Sequence, residues 1–124
     1  FHSMIEGDRE RRKAMREREI ENLLLRLGAN RSYTGFYYVI SAVQLSIEDG
    51  DKLQLISKWL YPEVAKKYHT SVQCVERNIR TLVALIWNKG DRSLLEHIAY
   101  TPLRKKPNNA AFISILVSYL CDEN

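Results

Sequence analysis

The chain has 124 residues, of which 45% are hydrophobic and 27% charged, and its formal net charge is +4. That length and composition indicate one ordinary globular domain with a single core, and the modest positive charge is compatible with a nucleic-acid partner without requiring one. The longest apolar run, residues 110–121, is interrupted by Ser114 and Ser118 and falls short of the roughly 18 residues that cross a bilayer.

The first nineteen positions are expected to lie outside the folded core. Residues 1–3 precede Met4 and are interpreted as a remnant of an expression tag, and no secretory signal is visible. Residues 5–19 mix acidic and basic side chains with few apolar ones, which predicts a solvated helical extension or a linker. A basic arm that contacts phosphates or folds on a partner is the alternative. The sequence therefore predicts a charged segment, residues 1–19, and a domain, residues 20–124.

The cysteines and histidines give no sign of a metal or of catalysis. Cys74 and Cys121 lack the paired spacing of a disulfide framework, which indicates a reducing compartment and predicts a cytoplasmic protein. His2, His69 and His97 do not combine with them in any zinc-site spacing. No phosphate-binding glycine loop or nucleophile motif is present either. We expect no metal, no cofactor and no enzymatic activity.

Two helices are predicted between residues 20 and 48. The first ends at Gly28 and places apolar side chains at helical spacing: Ile20, Leu23, Leu24 and Leu27. The second is expected to run from Ser32, as its N-cap, to about Glu48. Its dense apolar positions predict a mostly buried helix: Phe36, Tyr37, Ile40, Val43, Leu45 and Ile47.

An acidic turn, residues 48–51, separates the second helix from the third, with Asp51 as the predicted cap. The third helix is defined by apolar side chains at Leu53, Leu55, Ile56, Trp59 and Leu60. Since proline is favoured at the start of a helix and disrupts its interior, Pro62 predicts a break and a short fourth helix that ends at Tyr68. Trp59 and Trp87 are expected to be core or interface anchors.

Three further helices complete the predicted fold. The fifth runs from about Ser71 to Lys89, and Gly90 ends it. Asp91 caps the sixth, residues 94–99, and the last begins at Asn108 or Asn109. Its core side chains are Phe112, Ile113, Leu116, Val117 and Leu120. No segment alternates with a period of two, so the predicted fold class is all-α, a compact bundle of six to seven helices.

The fourth and fifth helices, joined by residues 68–71, have the lengths and tight turn of a helix-turn-helix. Thr70 or Ser71 is the expected N-cap of the second helix. Apolar side chains repeat at spacings of three and four and face inward: Val72, Val75, Ile79, Leu82, Val83 and Ile86. The same periodicity places a polar set outward: Gln73, Glu76, Arg77 and Arg80.

These outward side chains suit duplex DNA, because the N-terminal part of such a helix enters the major groove. Arg77 and Arg80 could each donate twice to a guanine, and Glu76 could accept from a cytosine amino group. Candidates for the phosphate backbone are Lys58, Lys66, Lys67, Thr70, Ser71 and Gln73, with Arg104, Lys105 and Lys106 as additional candidates. An ordinary salt-bridged surface would show the same pattern.

Several motifs resemble one known family. LYPEVAKKYHT, VERNIR and WNKG are similar to the LYPxIAKKxNTT, VERAIR and AWxRG patterns in the C-terminal effector domain of stage 0 sporulation protein A, a response regulator of endospore-forming bacteria. The similarity includes Gly28, Gly35 with the aromatic residues 36–38, and the closing residues 100–101, 106–109 and 112–113. It covers about residues 20–120.

The resemblance implies a sequence-specific DNA-binding transcription regulator that reads a TGTCGAA-like box, with two copies paired on adjacent boxes. It assigns base reading to Glu76, Arg77 and Arg80, the same residues that the helical spacing turns outward. A homodimer on tandem boxes and the sigma subunit of RNA polymerase are therefore expected partners besides DNA, and no membrane partner is expected.

The chain departs from the family pattern at several positions. Gln73-Cys74 replace a serine-arginine pair, which removes one basic contact, and Asn78 and Thr81 replace an alanine and a histidine. These residues include no receiver domain, which is expected either of an excised domain or of a stand-alone relative. The acidic turn and the Gln73-Cys74 change also favour an alternative: a helical protein-interaction module that kept the fold and lost specific DNA binding.

Overall fold

The computed structural model describes residues 2–122, apart from the side chains of residues 2–4, 52 and 53. Within that range the chain is all-α and contains no strand, which confirms the predicted fold class. Seven α-helices and one π-helical turn follow in order: α1 His2–Leu27, α2 Thr34–Glu48, α3 Asp51–Gln54, the π turn Ile56–Leu60, α4 Tyr61–Lys67, α5 Val72–Lys89, α6 Arg92–Ala99 and α7 Asn109–Asp122. None of these helices combines the length and apolarity that a membrane span requires.

α1 has two halves of different character. Residues 20–27 bury their apolar side chains in the core, as the periodicity predicts. Residues 5–19 continue the same helix with side chains that are almost all exposed, so the helical-extension interpretation describes this segment. Its attachment includes one long-range hydrogen bond, in which the Gln44 amide donates to the backbone oxygen of Lys13 at 3.1 Å. Gly28 ends α1 in the left-handed conformation.

α2 differs from the prediction at its start and in its buried face. Ser32 is not the N-cap: its backbone N–H donates to the Asn30 side chain at 2.8 Å, and Tyr33 occupies the cap position without a side-chain hydrogen bond. Tyr37 was expected in the core but is exposed, whereas Tyr38 is buried. Ile40, Leu45 and Ile47 are half-buried. The apolar density around residues 36–40 leaves the rotation of the helix undetermined, which explains this error.

The predicted third helix is wrong as a single element. α3 ends at Gln54, Leu55 leaves helical geometry with φ −118° and ψ 53°, and a π turn follows. Pro62 has no N–H to donate to the Lys58 carbonyl, so the regular α-helical pattern cannot continue through this turn. The Tyr61 N–H donates instead to the Ile56 carbonyl, five residues back.

The side chains of this segment are less buried than their spacing predicts. Leu60 is fully buried, but Leu55 and Trp59 are 46% and 49% exposed. Trp59 is therefore not a core anchor, and the interface alternative predicted for it stays a prediction. Asp51 is the first residue of α3 rather than its cap, and the Asp49 carboxylate accepts its N–H at 3.2 Å. Leu53 lies outside the described side chains.

α6 has the predicted Asp91 cap but begins at Arg92 rather than at residue 94, and α7 begins at Asn109, one of the two predicted positions. The Asp91 carboxylate accepts the N–H of Leu94 at 2.9 Å at the start of α6, and the Asn108 side chain accepts the N–H of Ala111 at 2.8 Å at the start of α7. Between them, the Glu96 carboxylate accepts the N–H of Leu103 at 2.6 Å and fixes the connecting loop.

Candidate nucleic-acid interface

α4, α5 and the four residues between them form the predicted helix-turn-helix. His69 adopts a left-handed conformation with φ 54°. The Thr70 N–H donates to the Ala65 carbonyl at 2.9 Å, and the His69 N–H donates to the Lys66 carbonyl at 3.3 Å. This pair of bonds is a Schellman motif, which ends α4 abruptly and turns the chain toward α5.

Ser71 caps α5, as one of the two predicted alternatives. Its extended backbone precedes the helix, and its hydroxyl accepts the backbone N–H of Cys74 at 3.1 Å. A serine cap of this kind satisfies one of the N–H groups that a helix start leaves unpaired. The cap therefore fixes where the exposed N-terminal turns of α5 begin.

Two tertiary contacts hold α5 in place from opposite sides. At Gly35 in α2, an added Cβ would overlap the backbone oxygen of Asn78, so the two helices meet backbone to backbone. From α7, the buried Asn109 amide donates to the Glu76 carbonyl and to the Tyr61 hydroxyl, each at 3.0 Å. Asn109 thus joins α4, α5 and α7, and a contact across 33 positions of sequence was not visible in any local pattern.

The outward set of α5, which we call the reading face, consists of Gln73, Glu76, Arg77 and Arg80. Gln73, Arg77 and Arg80 are exposed and Glu76 is half-buried, as the helical spacing predicts. Val75, Ile79 and Leu82 on the opposite side are buried, whereas the predicted inward residue Val72 is half-buried. One helix therefore presents a fixed polar surface over an apolar base.

The charges on the reading face are only partly paired. Arg80 donates to the Glu76 carboxylate at 2.8 Å, with 57% of the arginine side chain and 37% of the glutamate side chain exposed. Exposed pairs four residues apart contribute only about 0.3–0.5 kcal/mol, so a ligand can exchange with this one. Arg77 has no carboxylate partner within 4 Å among the described residues.

The candidate backbone residues differ in their exposure and in the contacts that they make. Lys58 and Lys66 are exposed, and so are Arg104, Lys105 and Lys106 before α7. Lys67 donates to the Ser41 hydroxyl at 3.1 Å and lies 5.4 Å from the centre of the Tyr68 ring. Thr70 is half-buried in the turn.

Cys74 occupies a polar environment in the first turn of α5. The pKa of its thiol is lowered, chiefly because the Thr70 hydroxyl hydrogen-bonds the sulfur, with smaller contributions from Tyr38, the Arg77 charge and Asn78 and an opposing one from desolvation. Asn78 donates to the sulfur at 3.3 Å and to the Cys74 carbonyl at 2.7 Å. The pKa of the neighbouring Tyr38 hydroxyl is raised, chiefly because that group is buried. Two of the family departures, at positions 74 and 78, therefore contact each other.

The part of the chain that the structure describes contains no cluster of three or more histidine, cysteine, aspartate or glutamate side chains that could hold a metal ion. His69 is a turn residue, and His97 and Cys121 are exposed on α6 and α7. His2 lies outside the described side chains.

A short helix, a Schellman turn and a capped second helix with exposed arginines near its start define a domain of the helix-turn-helix class. The family model described as "Sporulation initiation factor Spo0A C terminal" matches residues 20–120. The chain belongs to this family, whose members are DNA-binding effector domains of a sporulation regulator.

Proposed function

We propose that this chain regulates transcription in the cytoplasm by reading a short TGTCGAA-like box in duplex DNA, with the N-terminal half of α5 in the major groove. The observation that carries the proposal is the reading face: exposed arginines on a capped helix whose opposite side is buried, in a family of DNA-binding effector domains. Its role is recognition, without a catalytic step.

The two arginines project from the same side of α5. Arg77 and Arg80 are three residues apart and both are exposed, so both can reach base edges in one groove. Arg77, which has no carboxylate partner among the described side chains, donates to one guanine. Arg80 exchanges its exposed bond to Glu76 for a second guanine, and the released Glu76 carboxylate accepts from a cytosine amino group.

The surrounding polar groups would contact the phosphates. Lys58, Lys66 and Lys67 supply charge from the π turn and α4, and Thr70, Ser71 and Gln73 supply hydrogen bonds at the start of α5. One basic side chain of the loop before α7 would extend the contact, and its candidates are Arg104, Lys105 and Lys106. Such contacts fix the register of a protein on the duplex and make its affinity strongly dependent on salt.

Two further partners belong to the proposal. Two copies would pair on adjacent boxes, as the family resemblance implies, and one of them would contact the sigma subunit of RNA polymerase. Sedimentation with one-box and two-box duplexes tests the pairing: cooperative addition of a second copy supports it, and independent addition contradicts it.

A protein-interaction module is the second candidate function, and one surface favours it. Leu55 and Trp59 are half exposed beside Asp49 and Asp51, and together these four residues line a pocket of about 290 Å³. An apolar patch with an acidic rim suits a partner with basic and apolar side chains. This surface lies outside the reading face, so the two candidate functions make separate predictions.

A salt titration separates the candidates. The affinity for a duplex with the box is measured against a scrambled duplex of the same composition at several salt concentrations. Specific DNA binding predicts a preference for the box and a steep loss of affinity as salt rises. Equal affinity for both duplexes, or no complex, would contradict it and favour the interaction module.

Substitutions test the reading face directly. We expect Arg77→Ala and Arg80→Ala each to cost about 1–3 kcal/mol in binding and to relax the preference at one base pair. Arg26→Ala is the charge-matched control, because Arg26 is exposed at the end of α1, where Leu27 contacts Gly90 at the opposite end of α5. A loss in the control as large as in the two variants would indicate a general charge effect and contradict base reading.

A further inference from the structure

A pocket of about 380 Å³ lies against the reading face, and the proposed contacts to bases leave it without a role. α5 forms one wall through Glu76 and Arg80. Tyr61 of α4, Lys106 of the loop before α7 and Asn109 of α7 are among the other lining residues, together with several apolar side chains. We call this space the corner pocket. It joins the proposed base-reading side chains to the loop before the last helix.

Hydrogen bonds within the fold fix the polar groups at the bottom of the corner pocket. The buried Asn109 donates to both the Glu76 carbonyl and the Tyr61 hydroxyl, so its amide N–H groups are committed within the fold. The Tyr61 oxygen accepts one of these bonds, which leaves its own proton to donate to a bound oxygen. Burial raises the pKa of the Tyr61 hydroxyl, so the group keeps that proton near neutral pH.

Lys106 is the cation of the loop that lines this pocket. It directly precedes the buried Pro107, and a residue before proline is restricted to extended backbone conformations. The backbone of Lys106 is therefore restricted, which limits the directions in which its side chain can leave the chain. Arg104 and Lys105 carry the same charge one or two positions earlier but do not line the pocket.

The location suits a DNA strand. A helix with side chains is about 10–12 Å across and fills a major groove of about 12 Å, so the phosphates of the two strands flank it on either side. A pocket alongside α5 then faces one strand. We propose that the corner pocket binds one phosphodiester of the strand that borders the groove, with Lys106 as the charged donor and the Tyr61 hydroxyl as the neutral donor.

This inference rests on the proposed function and sharpens it, since it distinguishes Lys106 from two neighbours of equal charge. The affinity for the box duplex is measured over a range of salt for Lys106→Gln, Lys105→Gln and Arg104→Gln. We expect Lys106→Gln to weaken binding about tenfold near 0.1 M salt and to reduce the salt slope by about one, with changes within about threefold in the other two. Equal losses in all three variants would overturn the assignment.

Replacing single DNA phosphates with uncharged linkages identifies the phosphate that Lys106 contacts. Duplexes in which a methylphosphonate replaces one phosphodiester at a time are titrated with the parent protein and with Lys106→Gln. At one linkage along the box the parent should lose affinity while Lys106→Gln loses no more, because the two changes remove the same contact. If Lys106→Gln binds every modified duplex more weakly than the parent does, by the same factor as on the unmodified duplex, the corner pocket does not hold a strand phosphate.

Inorganic phosphate provides the remaining comparison. Since the assigned ligand is a phosphodiester of DNA, free phosphate should compete no better than another anion at matched ionic strength, and selective competition would assign the pocket to a free ion instead. A parent protein with no preference for the box would refute the proposed function. A parent that prefers the box, combined with a Lys106→Gln variant that behaves like Lys105→Gln, would refute only the corner pocket.

Discussion

α5 and the segment of residues 51–60 have similar apolar spacing in the sequence, yet the structure treats them differently. α5 is one helix of 18 residues with the Ser71 cap at its start and an apolar side that is mostly buried. The segment is divided into a single turn of α-helix, the break at Leu55 and a π turn. The comparison shows that apolar spacing predicts a helix reliably only where the residues at its ends agree with it.

The two regions also expose different kinds of side chain. In α5 the regular geometry turns charged side chains outward in a fixed order, and neighbouring helices hold it through Gly35 and Asn109. In the segment the break leaves Leu55 and Trp59 half exposed beside the acidic turn. The first region carries the proposed DNA contacts, and the second carries the surface that motivates the alternative proposal of a protein-interaction module.

Truncation of the two leucines Leu55 and Leu60 should change the stability of the protein by very different amounts. Leu60→Ala should reduce the free energy of unfolding by about 2–5 kcal/mol, because Leu60 is fully buried. Leu55→Ala is the matched control, and its half-exposed side chain should cost less than about 1 kcal/mol. Chemical denaturation measures both, and equal costs would show that Leu55 packs into the core as its spacing first suggested.

The close approach of Gly35 to the Asn78 backbone positions α5 against α2. Gly35→Ala should destabilise the protein by about 1–3 kcal/mol, because the added methyl group overlaps the Asn78 backbone and pushes the helices apart. Gly50→Ala, in the acidic turn, meets nothing within 4 Å and should change stability by no more than about 0.5 kcal/mol. A neutral Gly35→Ala would mean that α2 does not constrain the reading face.

A smaller effect is expected at the cap. Ser71→Ala removes the acceptor for the Cys74 N–H and should cost about 1 kcal/mol of stability, whereas Ser71→Gly should cost only a few tenths. Ser118→Ala, at an exposed position of α7, is the control and should be close to neutral. Thermal unfolding of the three variants provides the comparison. A Ser71→Ala variant as stable as the control would indicate that α5 does not depend on this cap.

The sequence predicted the parts of the site that depend on local spacing. The outward position of Glu76, Arg77 and Arg80 follows from helix periodicity once the inward side is identified, and Ser71 and Asp91 follow from the chemistry of helix caps. The rotation of α2 could not be predicted, because Tyr37 and Tyr38 are both apolar enough for the core.

Contacts between distant positions were also out of reach. Nothing near Asn109 in the sequence indicates that its amide meets Tyr61 and Glu76. Gly35 was visible as part of a family motif, but its reason, the close approach to Asn78, appears only in three dimensions. The roles assigned to Glu76, Arg77, Arg80 and the lysines remain predictions until DNA is bound.

Arginines on the reading face are proposed to donate to guanines in the major groove, and duplexes with modified bases test this contact. Duplexes in which 7-deazaguanine replaces one guanine of the box lose the N7 acceptor while Watson–Crick pairing is kept. The parent protein should lose affinity at the contacted guanine, by about 1–3 kcal/mol, and Arg77→Ala or Arg80→Ala should show no further loss at that same guanine. If the parent binds every modified duplex as tightly as the unmodified one, α5 does not read the major groove.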